Sequence, residues 1–186
     1  KFVINHKMSH FLKSYEWGQV SKRRGLLPHY VGLKEKNLIV ATALLLEKKL
    51  PLGYSYFYSP RGFVIDYNDF ELFDEMTKKV ISFVKTKKAI FLKIDPDIIR
   101  KSYNYNNEEI KLDNNASEIF KNIINCGFKH LGFTKNFETM QPRYTFRIDM
   151  NNSFDDIYNH FSKTTKQRIQ KAKNLETEVE IGTIDD

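Results

Sequence analysis

Tyr56-Phe57-Tyr58-Ser59-Pro60-Arg61-Gly62-Phe63-Val64-Ile65-Asp66-Tyr67 and, further on, Ala89-Ile90-Phe91-Leu92-Lys93-Ile94-Asp95-Pro96-Asp97 are the stretches that decide the architecture. Each is an apolar, β-prone run that stops at a polar turn, the first at Ser59-Pro60-Arg61-Gly62 and the second at Asp95-Pro96-Asp97. A guanidinium and a carboxylate therefore stand where strands end and loops begin, the place where α/β domains usually carry their chemistry. Between the two runs, Asn68 with Glu71 makes a capping-box-like start, and Phe73, Met76, Val80, Phe83 and Val84 recur at helical spacing. Strand, helix, strand is the unit that normally crosses over to a parallel neighbour, and it puts Asp95 at the carboxyl end of the second strand.

Upstream, residues 30–33 and 38–46 flank Lys34-Glu35-Lys36-Asn37, which predicts a hairpin with a charged turn. Residues 39–46 have almost no polar position, as expected of a central strand covered on both faces. Residues 8–24 pattern as a short helix carrying Phe11, Leu12 and Trp17 and reaching the basic triplet Lys22-Arg23-Arg24. Downstream, the Asn-rich residues 102–115 predict a loop, and Asn115 with Glu118 predicts a cap for a helix that buries Ile119, Phe120, Ile123 and Ile124 and ends at Gly127. Short strands are expected at residues 128–131 and 143–150, a long basic helix from Ser153 with Ile157, Phe161 and Ile169, and an edge strand at 176–181. The centre is mostly β, with helices interspersed.

At 186 residues and 22.0 kDa the chain suits one ordinary domain, or one with the beginning of another. Hydrophobic residues at 41%, with 15 Phe and 10 Tyr, place it among soluble globular proteins even though 28% of it is charged. Cys126 alone cannot close an intramolecular disulfide, and no Cys/His spacing matches a zinc ligand set, so a reducing compartment is expected. No apolar run approaches the roughly 20 residues of a membrane span, and the first residues show no signal-peptide pattern. Among its 8 Gly there is neither GxGxxG nor a P-loop, which removes the sequence support for nucleotide hydrolysis or dinucleotide binding. The net charge of +7 gathers in Lys22-Arg23-Arg24 and in residues 163–173. Such clusters suit an anionic partner, for instance a nucleotide diphosphate, tRNA or acidic lipid headgroups; a solvated lysine-rich surface explains either one equally well.

Glu16-Trp17-Gly18-Gln19, the 56–67 segment, Lys93-Ile94-Asp95-Pro96-Asp97, and Gly127-Phe128 through Gln141-Pro142-Arg143 resemble, in this order, the Fem family of bacterial peptidoglycan aminoacyltransferases. The resemblance runs over nearly the whole chain. It implies an α/β (α+β) fold, a GNAT-like acyltransferase domain with a central mixed, mostly antiparallel sheet flanked by helices. Residues 1–152 would form the first such half, and residues 153–186 a basic linking helix and the start of a second. The resemblance further implies a cytoplasmic enzyme that takes an amino acid from aminoacyl-tRNA and joins it to an amine on the stem peptide of a UDP-linked or lipid-linked muropeptide precursor. A lipid-linked acceptor would bring peripheral membrane contact; no metal or organic cofactor is implied. Asp95 matches the aspartate of the family's active-site region. Ile90 stands where the family has a tyrosine, and Leu26-Leu27-Pro28-His29-Tyr30 follows Gly25 without the family's phosphate-binding lysine. Lys22, Arg23 or Arg24 would have to take that task, and Arg61-Gly62-Phe63 replaces the common Arg-Gly-Pro.

The ester of an aminoacyl-tRNA is already activated, so an enzyme of this kind mainly aligns it with a free amine. A lysine-like amine of pKa about 10.4 is protonated at neutral pH, and freeing it costs roughly 4 to 5 kcal/mol. Asp95 could accept that proton or hold the ammonium. An ordinary aspartate near pKa ~3.9 is a weak base, so the base role requires burial to raise it; without that, orientation and charge stabilisation remain, or a plain Asp-Pro turn. Arg61 suits a phosphate or a stem-peptide carboxylate through its planar fork, or else pairs with Asp66 in its own turn. Lys163, Lys166, Arg168, Lys171 and Lys173 could contact a tRNA backbone with steep salt dependence, or form the solvated face of a helix. Arg143 reads as structural, Cys126 as a small buried hydrophobe, and the five His show no paired spacing. Two other classes stay open: a non-catalytic muropeptide-binding module, and an acetyl-CoA-dependent N-acetyltransferase, whose Gly-rich pyrophosphate turn is missing here.

Overall fold

The computed structural model describes residues 1–104, 106–112, 114–132 and 145–182, in two units, Lys1–Gly132 and Phe133–Asp186. The first unit is built on a four-stranded sheet of order β1-β2-β3-β4. Strands β1 (Leu27–Glu35), β2 (Leu38–Lys49) and β3 (Ser55–Ser59) pair antiparallel in turn, and β4 (Ala89–Ile94) runs parallel to β3. The sheet is therefore mixed and mostly antiparallel, as expected, and β2 is central.

Burial runs through consecutive residues of β2, Ala43, Leu44, Leu45 and Leu46. Successive side chains of a strand point to opposite faces, so both faces are covered. Ala41, Ala43 and Leu45 pack with Phe57 of β3 and with Phe73, Met76 and Val80 of the helix α3 (Phe70–Thr86); Leu44, Leu46 and Tyr58 meet Trp17 and Leu26 on the other side. Each large side chain of α3 that is buried this way stabilises the sheet-helix contact by roughly 2 kcal/mol. Asp69, and not Asn68, caps α3, its carboxylate accepting the Leu72 N–H at 3.0 Å.

Other expectations change as well. The stretch 8–24 is not one helix: after α1 (Phe2–Asn5) a 3-10 turn at Phe11–Lys13 precedes α2 (Tyr15–Arg23), because Ser14 accepts the Trp17 N–H and restarts the chain as an N-cap. Residues 102–115 hold a small hairpin, β5 (Ser102–Tyr103) with β6 (Glu109–Ile110), where the Asn104 side chain accepts the N–H groups of Asn106 and Glu108. In α4 (Ala116–Asn125), Asn115 makes no side-chain cap, and Phe120 and Ile124 stay exposed while Ile119 and Ile123 face the core. Residues 128–131, 145–150 and 176–181 form no strand, and among the described residues no strand lies beside them to pair with their backbone. Residues 143 and 144, with Arg143 itself, lie outside the described residues.

In the second unit the basic helix is two helices, α5 (Phe154–His160) and α6 (Lys163–Asn174). Each has its own serine cap: Ser153 accepts the Asp156 N–H and Ser162 the Thr165 N–H. Among the described residues no helix is long and apolar enough to cross a membrane, and no His/Cys/Asp/Glu group could hold a metal ion.

Candidate active site

Because β3 and β4 are parallel, their carboxyl ends lie side by side, with Ser59 level with Ile94. The residues leaving those ends meet. Pro60 sets the first corner of the turn, Arg61 takes the second at φ 56, and the Gly62 N–H donates to the Ser59 carbonyl at 3.0 Å, the pattern of a type II turn. A left-handed residue with a Cβ costs about 1 to 2 kcal/mol, so other contacts must hold Arg61 there. Gly62 follows at φ 69, where a Cβ would overlap the Tyr67 hydroxyl and lie 3.1 Å from Pro96 Cα. Glycine thus lets the turn press against Asp95-Pro96. The Tyr67 hydroxyl in turn accepts the Phe63 N–H at 2.8 Å, and burial pushes its phenol far up.

Asp95 receives two hydrogen bonds from this turn and strand. Oδ1 accepts the Arg61 N–H at 2.7 Å and Oδ2 accepts the Tyr58 O–H at 2.9 Å. Both bonds favour the carboxylate, as do the charges of Arg61 and Lys93, yet loss of water outweighs them and pushes Asp95 above the ordinary carboxylate range. That is the direction a general base needs.

Arg61 does not pair with Asp66, whose carboxylate is occupied by Lys7 Nζ at 2.7 Å and by Asn68. Its Nη1 lies 4.0 Å from Asp97 Oδ1, with the two side chains 14% and 29% exposed, and its Nε is buried without a hydrogen-bond partner. Ile90 is 57% exposed, so the hydroxyl beside Asp95 comes from Tyr58 instead.

Lys13 belongs to this neighbourhood and escaped the sequence reading. It is 3% exposed, and its Nζ donates to the carbonyls of Met8 at 2.9 Å and Phe63 at 3.2 Å. Burial pushes its ammonium down to about 8, with Arg61 pushing the same way and Asp97 and Asp95 pulling it up. No local signal in the sequence marks it, because one of the carbonyls that hold it belongs to Phe63, 50 residues on.

The other candidates stand apart. Lys22 and Arg23 close the last turn of α2 and Arg24 is its C-cap, all exposed, where cations complement the helix dipole. Among the described residues none of the three shares a hydrogen bond or ion pair with Arg61 or Asp95. In the second unit Lys163, Arg168, Lys171 and Lys173 are exposed, whereas Lys166 donates to the Asn159 carbonyl at 2.9 Å and lies 5.6 Å from the centre of the Tyr158 ring. Cys126 is half-buried, its thiol pushed up by burial and facing Asp74 at 3.8 Å, which leaves it unreactive.

A half-buried carboxylate of raised proton affinity, set where two parallel strands end and beside an arginine-bearing turn, makes this end of the α/β domain the candidate site. The sequence profile described as the FemAB family matches residues 1–186, and the chain belongs to that family. It is 32% identical over 177 residues to aminoacyltransferase FemA of Staphylococcus aureus (strain bovine RF122 / ET3-1), covering 92% of this chain and 41% of that protein. It is 29% identical over 182 residues to the lipid II:glycine glycyltransferase of Staphylococcus epidermidis (strain ATCC 12228 / FDA PCI 1200), covering 96% and 41%. The crystal structure of FemX matches with a TM-score of 0.75 at 26% identity, over 92% of this chain and 40% of that one. The chain thus spans about 41% of the length of the curated relatives it matches.

Proposed function

We propose that this chain is the part of a transferase that carries the acid-base carboxylate, and that the whole protein moves an aminoacyl group from aminoacyl-tRNA to an amine on the stem peptide of a peptidoglycan precursor. The observation that carries the reading is Asp95, half-buried, raised, and aimed by Tyr58 and the Arg61 amide. The relatives support it: one is named an aminoacyltransferase, another a glycyltransferase of lipid II. On the latter's account the lipid-linked precursor is the first acceptor to test, with contact at the inner face of the membrane, and the UDP-linked form the second.

In this scheme the acceptor ammonium gives a proton to the Asp95 carboxylate, and its nitrogen attacks the ester carbonyl of the donor. The new C–N bond forms as the ester C–O bond breaks; the proton that the nitrogen sheds on becoming an amide goes to the departing ribose oxygen, and Asp95 returns its own proton to water. Raising Asp95 narrows the gap to the amine, while its two hydrogen bonds fix where the proton is accepted. Arg61, with an unpartnered Nε, would face an anionic group of the acceptor. Lys163, Lys166, Arg168, Lys171 and Lys173 would meet the tRNA backbone, and a tRNA-dependent reaction places the enzyme in the cytoplasm.

Single-turnover transfer from labelled aminoacyl-tRNAs to each precursor, with the whole gene product, is the test. Aminoacyl transfer to either acceptor is the expected result. Precursor binding without transfer would make this a binding module, and acetyl-CoA-dependent acylation would make it an N-acetyltransferase.

A further inference from the structure

Burying an ammonium is costly, and a methionine of similar length would fill the same space without that cost. Lys13 is nevertheless sealed from water, and its two recorded hydrogen bonds go to backbone carbonyls, with no carboxylate at ion-pair distance among the described residues. One of those carbonyls belongs to Phe63, whose own N–H is held by Tyr67. Phe63 follows directly on the turn Ser59–Gly62, and that turn donates the Arg61 N–H to Asp95 on its other side. The groups whose charges Lys13 feels are Asp97 and Asp95 at the end of β4 and Arg61 in the turn; on its own side His6 feels Lys13 in return.

We infer that Lys13 is a positioning residue for Asp95: its buried ammonium ties the N-terminal segment to the back of the turn that grips Asp95, and it balances the charge of Asp95 and Asp97. Asp95 and Asp97 leave the end of β4 two residues apart, and Arg61 and Lys93 favour the Asp95 carboxylate from their side of the turn. Lys13 adds a cation on the sealed side of the turn, where solvent ions cannot substitute for it.

The inference rests on Asp95 being the working carboxylate, but its test follows charge and not turnover, so failure of the transfer reaction leaves it standing or falling by itself. Side-chain carboxyl 13C NMR on the whole gene product, with D95N assigning the signal, reads the Asp95 midpoint directly. In K13M that midpoint should rise, and K13R should return it towards the native value. An unchanged midpoint in K13M, or a K13R midpoint as high as that of K13M, overturns the inference. Should K13M not fold, the native chain decides. Its Asp95 signal should show a second inflection near pH 8 that coincides with the Lys13 Cε titration, and a single-step curve overturns the inference.

Discussion

The charges around Asp95 and those on α6 are built on opposite plans. Around Asp95 the fold holds the carboxylate by a backbone N–H and a tyrosine, and the ammonium of Lys13 by two carbonyls. On α6 four of the five cations lie in solvent and only Lys166 is tied back to its own unit. A desolvated, hydrogen-bonded charge has a proton affinity the protein can set and a direction it can aim. A solvated one supplies a field that salt screens within about 10 Å at 0.1 M. The first plan suits bond making at one atom, the second suits drawing in a polyanion.

The most forceful way to break this distinction is Asp95→Asn in the whole protein. The amide still offers an oxygen to the Arg61 N–H but cannot accept a proton at neutral pH. Transfer should fall by about 10²- to 10⁴-fold. The fold should survive: a carboxyl raised by burial contributes stability that is complete below its ordinary pKa and is lost as pH rises through the raised value, so at neutral pH a neutral side chain costs nothing on this account. Unchanged turnover would move Asp95 out of the chemistry and leave the turn as architecture.

Gly62→Ala probes the same turn mechanically. An added methyl meets the Tyr67 hydroxyl and Pro96 while φ stays at 69. Left-handed strain and overlap together should destabilise the first unit by about 2 to 4 kcal/mol, seen as a lower urea midpoint at constant m. A loss under half a kcal/mol would mean that the turn yields easily and cannot be what aims the Arg61 amide.

Much of this turn was legible in the sequence because it carries its own conformational code. Proline fixes one corner, glycine permits the last, and the apolar runs on either side mark the strands. β2 and α3 were legible for a related reason: unbroken or 3.6-spaced hydrophobicity reports what must be buried. Lys13 was not, because its burial is decided by a carbonyl 50 residues away. The choice of Asp97 over Asp66 for Arg61 was hidden likewise, since Lys7 takes Asp66 from a distance of 59 residues. The strands expected at residues 128–131 and 176–181 failed for the complementary reason that alternation signals a strand only where a partner is present.

Tyr58→Phe sharpens the account of Asp95 without disturbing the turn. The hydroxyl stabilises the ionised carboxylate, so its removal lets burial act with less opposition and Asp95 rises further. The acid limb of the transfer pH profile should then move to higher pH, with a loss of about 10-fold at the native optimum from poorer aim. If the limb stays in place, Asp95 is not the group that titrates there.

The smallest effects are expected on α6, and their smallness is the point. Replacing Lys163, Arg168, Lys171 and Lys173 by Gln removes charge without removing packing, because these side chains are exposed and the helix keeps its Ser162 cap. Unfolding should shift by no more than about 0.5 kcal/mol per position. What should change is the salt dependence of tRNA binding, whose slope against log salt becomes shallower by roughly 0.7 to 0.9 for each phosphate no longer contacted. Lys166→Gln belongs outside that set, since its ammonium also anchors to Asn159 and Tyr158, and a stability loss there would not report on tRNA. A fourfold variant that binds tRNA with the native slope would reduce α6 to a solvated face, and the contrast with Asp95 would then separate chemistry from solubility.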